Sequence, residues 1–127
     1  MKKMILALAA SSVLALANDT TVNATMSLMT QGMNQIQAGF LYSNRADVVG
    51  GIKVMQDANS IFTKVDVSTF IKNNNKIQVT HNINKNLTAN LKELQKAVDS
   101  KNMSDATKAY GEVTANCISC HRIVRGW

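Results

Sequence analysis

The chain has 127 residues, 46% of them hydrophobic, 5% aromatic and 17% charged, with a formal net charge of +6. That length suits one domain with one core. The basic residues form no cluster with interleaved aromatics, which excludes the usual make-up of a nucleic-acid binder.

Residues 1–17 have the form of an export signal. Lys2 and Lys3 are a basic start, Met4 to Leu14 is an apolar run interrupted by Ser11 and Ser12, and Ala15-Leu16-Ala17 is an A-x-A cleavage site. The run falls short of the roughly 18–20 apolar residues of a membrane span, and no later stretch is longer. The expectation is export with cleavage, no membrane attachment afterwards, and a mature domain over residues 18–127. The signal holds two of the 14 basic residues and none of the 8 acidic ones, so the remainder carries +4. This positive balance is modest and spread along the chain. It suits solubility and weak steering towards an acidic partner.

Proline is absent and glycine occurs six times. Such a composition permits long helices and argues against a turn-rich β fold. The first helix is expected from about Thr20 to about Tyr42, capped by Asp19 or Thr20. Its stripe is Val22, Met26, Met29, Met33, Ile36 and Phe40, a heptad-like alternation of three and four. After the turn Ser43-Asn44-Arg45, a second helix spans about Ala46 to Lys64. Val48, Ile52, Met55 and Phe62 form its buried face, with Val49, Ala58 and Ile61 beside them. Gly50-Gly51 inside it costs helix stability and offers close backbone approach to a neighbour.

Asp66 to Asn75 is expected as a crossover, tacked to the core by Val67 and Phe70. The third helix spans about Lys76 to Ser100, with Ile83, Leu87, Leu91, Leu94 and Val98 as its stripe. The last helix begins at Ser104 as N-cap, runs to about Arg125 and stops at Gly126. Ala106, Tyr110, Val113, Cys117, Cys120 and Val124 are its inward positions. The expected fold class is all-α, an antiparallel four-helix bundle in one domain.

The two cysteines belong to Cys117-Ile118-Ser119-Cys120-His121, the C-x-x-C-H attachment signature of a c-type haem. On a helix these residues stand at i, i+3 and i+4 and share one face. Two thiols can then form thioethers to one porphyrin while the imidazole faces its iron. A thioredoxin-like dithiol belongs at a helix N-terminus in a βαβ unit, which is missing here. A zinc site needs a fourth ligand, and His81 is the only other histidine. A disulfide between residues three apart would constrain almost nothing. Haem c, with its iron, is therefore the expected cofactor, one per chain, and it would add apolar bulk to a core poor in aromatics. The ligand-free chain is then expected to fold poorly. A metal-free structural bundle is the reading from a different class.

His121 supplies one axial ligand. For the other side of the iron, the residues leave Met26, Met29, Met33 and His81 open, or no ligand at all. Methionines at helical spacing are ordinarily core packing.

A C-terminal C-x-x-C-H on the last helix of an exported four-helix bundle resembles class II cytochrome c, the cytochrome c-prime family. The resemblance covers the helix layout of residues 18–127 and the motif from Cys117 to Arg125. The family pattern continues after the histidine with two residues, an aromatic and a basic residue. Arg125 matches the basic position and Val124 departs from the aromatic one. In the family the residue facing the distal iron comes from the first helix, as leucine in five-coordinate members and methionine in low-spin relatives. In the run Met26-Ser27-Leu28-Met29, Met26 takes that place, with Met29 one turn on as the fallback.

The resemblance implies a periplasmic electron carrier, not an enzyme, with His121 and Met26 as axial ligands and transient redox-protein partners. The alternative is a five-coordinate protein binding small gases such as NO or CO. The resemblance also places Arg125 near the proximal side. The family's propionate-binding arginine is replaced by Val22, leaving Asn23 or a lysine for that contact. Family members often pair through their first two helices, so a homodimer through Leu41, Val49 and Val54 is a further expectation.

Overall fold

The structure, a computed structural model, describes residues 2–126, with side chains described for residues 19–126. Four helices account for almost all of it: α1 (Lys2–Leu41), α2 (Arg45–Phe62), α3 (Asn74–Asp99) and α4 (Met103–Arg125). One 3-10 turn, Val67–Thr69, lies in the crossover between α2 and α3. No strand occurs among the described residues, and among them no helix is long and apolar enough to cross a membrane. The all-helical four-helix architecture agrees with the sequence reading.

The bundle consists of two tight hairpins, α1–α2 and α3–α4, joined by the crossover. Both hairpin turns are built alike. A residue in the left-handed region ends the first helix, Ser43 at φ 55° and Lys101 at φ 57°. The next residue closes back on the helix, Asn44 N–H onto Gly39 O at 2.8 Å and Asn102 N–H onto Ala97 O at 2.9 Å. That same asparagine then caps the following helix. Asn44 Oδ1 accepts from Ala46 N and Asp47 N, and Asn102 Oδ1 accepts from Asp105 N at 3.1 Å. Asn73 caps α3 by accepting from Lys76 N at 3.1 Å. Asparagine's short amide reaches the free N–H groups of the first turn, which makes it one of the strongest N-caps.

Two expected caps are corrected. The cap of α4 is Asn102 and not Ser104. Neither Asp19 nor Thr20 caps α1, because the helix runs through both. No glycine or proline interrupts residues 2–31, so nothing stops propagation towards the N-terminus. The side chains of the expected cleavage segment Ala15–Ala17 lie outside the described residues.

The first hairpin is held at unusually short range. A Cβ added at Gly51 would lie 2.6 Å from Gly32 O and 2.7 Å from Ile36 Cγ1. One added at Gly32 would lie 2.5 Å from Met55 Cγ and 2.9 Å from Gly51 O. Glycine on both sides lets the α1 and α2 backbones touch, the gain expected of Gly50-Gly51. The core below this contact is Ile36, Ile52, Met55, Leu91, Leu94 and Val113, all fully shielded. Burial of each such side chain contributes about 1.5–3 kcal/mol.

The expected stripes of α1, α2 and α3 face this core. Val65, Val67 and Ile71 pin the crossover to it, with Phe70 partly buried against it. Two positions differ. Ile61 is 42% exposed and Val124 is 38% exposed. Val124 sits in the last turn of α4, beyond the packed core; Ile123 turns half inward instead, and its carbonyl accepts from Lys76 Nζ at 3.4 Å. Of the residues expected on a dimer face, Leu41 is exposed, while Val49 and Val54 are half-buried.

Gly51→Ala should destabilise the protein. Overpacking costs roughly 1–3 kcal/mol, more than the gain of up to about 1 kcal/mol from better helix propensity. Gly111, in α4, has nothing within 4 Å of an added Cβ, so Gly111→Ala should stabilise by about 0.5–1 kcal/mol. Urea unfolding of the two variants checks both signs.

Candidate functional site

The signature residues and the methionine stripe meet across one cleft. Its walls come from all four helices: Met26, Met29, Thr30 and Met33 of α1, Phe62 of α2, Ile83, Asn84 and Leu87 of α3, and Asn116, Cys117, Cys120 and His121 of α4. The cavity is about 190 Å³ and almost wholly apolar. The α1 and α4 backbones approach each other much less than the other neighbouring pairs. Towards the hairpin end that seam is closed by Phe40 against Tyr110, edge to face with centroids 5.5 Å apart. Below this ring pair the seam opens as the cleft.

The α4 wall follows from helical geometry. Cys117 and His121 are one turn apart, and Cys120 stands beside them; all three are half-buried. On the α1 wall Met29 is 8% exposed and Met26 and Met33 are half-buried. The helices run antiparallel from a shared hairpin end. Counted at about 1.5 Å per residue from the Phe40–Tyr110 contact, Met29 and Met26 both lie within a turn of the level of His121, whereas Met33 lies about 6 Å nearer the hairpin end.

Both cysteines are free thiols. Burial pushes the Cys117 thiol up from its ordinary range, with the neighbouring Cys120 adding to the effect, and burial likewise pushes Cys120 up. A catalytic dithiol needs the opposite, a thiolate favoured by a helix N-terminus or a nearby cation; this pair lies near a helix C-terminus. Among the described residues no three His, Cys, Asp or Glu side chains converge as ligands for a bare metal ion. His81 is exposed and lines a separate groove with Thr63, Val67 and Lys85. It joins neither the cysteines nor the methionines.

Polar groups in the cleft wall are few. Thr30 Oγ1 donates to Met26 O at 2.9 Å. Asn84 Nδ2 donates to Asn59 Oδ1 at 3.0 Å, and Asn59 Nδ2 donates to Thr88 Oγ1 at 2.7 Å. Asn59, only 3% exposed, thus ties α2 to α3 behind the cleft. Asn116 Nδ2 is the exception, a buried donor with no acceptor among the described residues.

Of the residues singled out in the sequence, Cys117, Cys120, His121, Met26, Met29 and Met33 come together here. Asn23 and Arg125 are exposed and do not line the cleft, so either would reach a bound group only at its rim. Asn116, Asn84 and Phe62 were not singled out as site residues. Phe62 had a helical period pointing it inward, but nothing in sequence marked the two asparagines among so many others. Comparison with protein-family models, curated proteins and solved structures finds no match.

In the ligand-free chain, iodoacetamide should modify Cys117 and Cys120 more slowly at pH 8 than in the urea-unfolded chain. The folded thiols keep their protons where unfolded ones begin to ionise. The sign carries into stability. The contribution of the protonated thiols is fully present below the ordinary thiol pKa and is lost as pH rises through the raised folded values. Asn59→Leu should cost about 1–3 kcal/mol by stranding Asn84 Nδ2 and Thr88, read from chemical denaturation.

Proposed function

We propose that this chain is an exported, periplasmic electron carrier of the class II cytochrome c type. It would hold one haem c in the cleft between α1 and α4. The observation that carries the reading is the pairing of walls: two thiols and an imidazole on one α4 face, opposite a stripe of thioethers, with apolar side chains between them. The residues fit the group. A porphyrin held by two thioethers needs two thiols at this spacing, a nitrogen ligand one residue on, and apolar faces. At about 190 Å³ the cleft is smaller than a typical small-molecule pocket of roughly 300–1,000 Å³. An edge of the ring would therefore stand outside it, or the α1–α4 seam would widen.

Cys117 and Cys120 would each add an S–H across a vinyl group. His121 would ligate the iron on the α4 side. Met26 is the ligand assigned from α1, on the resemblance of the run Met26-Ser27-Leu28-Met29 to the class II pattern; Met29, which lines the same wall, is the fallback. When bound, the group supplies a one-electron couple. A thioether opposite an imidazole favours electron transfer over gas binding by filling the open position. The apolar walls exclude water. No bond-making chemistry on a substrate is assigned, and the leader Lys2 to Ala17 is read as the export signal that delivers the chain to the periplasm.

Protein produced with haem-attachment machinery should keep its colour on a denaturing gel. Reduced, it should be low-spin and resist carbon monoxide; Met26→Ala should turn it high-spin and reactive to carbon monoxide. A wild-type protein already high-spin and binding carbon monoxide would establish the gas-binding alternative instead. Loss of colour on denaturation would sink both and leave a metal-free bundle.

A further inference from the structure

The net charge that is dispersed along the sequence is not dispersed in the fold. Residues 19–126 hold twelve Lys and Arg against eight Asp and Glu. Six of the cations, Lys64, Lys72, Lys76, Lys85, Arg122 and Arg125, lie in the crossover or in the parts of α3 and α4 next to it, at the cleft end of the bundle. Only Asp19 and Asp66 accompany them there. The remaining six cations and six acids are divided over the rest of the bundle and cancel. Most of the excess of positive charge therefore lies in the crossover half of the bundle.

The pairing follows the same division. The ion pairs among the described residues are Arg45–Asp99 at 2.9 Å, Lys53–Asp57 at 2.9 Å and Glu93–Lys96 at 4.0 Å, all away from the cleft end. No cleft-end Lys or Arg forms one. Lys72 Nζ is held by the carbonyls of Ser68 and Thr69 at 3.2 and 3.1 Å, and Lys76 Nζ by that of Ile123. These carbonyl contacts reduce the freedom of the stems and bring no counter-charge themselves, while Asp66 interacts electrostatically with Lys72 short of a direct ion pair. Exposed apolar side chains stand among them, Val79 at 42% one turn from Lys76 and Ile118 at 46% one turn from Arg122. Among the described residues the most exposed aromatic, Tyr42 at 82%, is at the opposite end.

We propose that the cleft end is a docking face for a partner protein that presents a carboxylate-rich surface. Like-charged, unpaired cations around a small apolar patch steer such a partner and orient it as it arrives. The inference stands on charge placement and not on the cofactor. If the cofactor reading also holds, the docked partner covers the mouth through which an electron would pass.

Poly-L-glutamate serves as the probe, with carbodiimide coupling carboxylates to lysine amines at low ionic strength. Coupling should concentrate on Lys64, Lys72, Lys76 and Lys85 and spare Lys53, Lys92, Lys96, Lys101 and Lys108. Even coupling over all nine would overturn the proposal. In titrations, Lys72→Glu with Lys76→Glu should weaken binding at least tenfold, and Lys64→Glu with Lys85→Glu, which breaks no hydrogen bond, should do the same. Lys101→Glu with Lys108→Glu makes the same change in net charge at the far end and should alter affinity less than threefold. Equal losses from all three pairs would reduce the effect to net charge and refute a face. Tighter binding to phosphatidylglycerol vesicles or to a single-stranded oligonucleotide than to polyglutamate would also refute it, in favour of a membrane or a nucleic acid.

Discussion

Much of the architecture follows from how closely α1 and α2 approach. With hydrogen in place of side chains at Gly32 and Gly51, the two backbones come within direct contact. A bundle that closes one seam this tightly is asymmetric. The α1–α4 seam, by contrast, is left wide. Phe40 and Tyr110 fill its upper part with two rings. Lower down, the wall residues are unbranched thioethers on one side and small thiols on the other, and the space between is not filled.

That unfilled space has an electrostatic character of its own. Its walls offer almost no polar atoms, and those of Thr30 and Asn84 are committed to partners behind the surface. A low local dielectric follows, which keeps the cysteines protonated and makes the unpaired amide of Asn116 costly. A well-packed helical protein rarely leaves a buried donor unmatched. Here the mismatch stands one residue before Cys117, where the rest of the wall also lacks a counterpart.

How far the residues alone reveal this depends on which signal carries each feature. The α1 stripe from Val22 to Phe40 and the spacing of Cys117, Cys120 and His121 depend only on helical periodicity, and both were legible. The helix ends were less so. Asn44, Asn73 and Asn102 each cap a helix, yet in a chain this rich in asparagine the residue type cannot point to itself, and Ser104 looked equally suited. Val124 fits the α4 repeat, but periodicity does not say where a helix outruns its core. The gathering of charge at one end is a property of antiparallel packing. Lys64 and Arg125 are sixty residues apart in sequence and become neighbours in level only when two hairpins fold against each other. Asn116 is legible only once its surroundings are known to be apolar.

The two hairpin turns share one construction and lie at the same end, and a single crossover joins the hairpins at the other. Each hairpin has its own tight turn and capped second helix, so each is close to self-sufficient in local structure. The cleft lies on the seam where they meet: the thiols belong to one hairpin and the methionines to the other. Anything tethered to the cysteines would thus be held by the second hairpin and covered by the first. The bundle is in this respect a clamp, with its jaws hinged at the crossover and its grip made by whatever fills the seam.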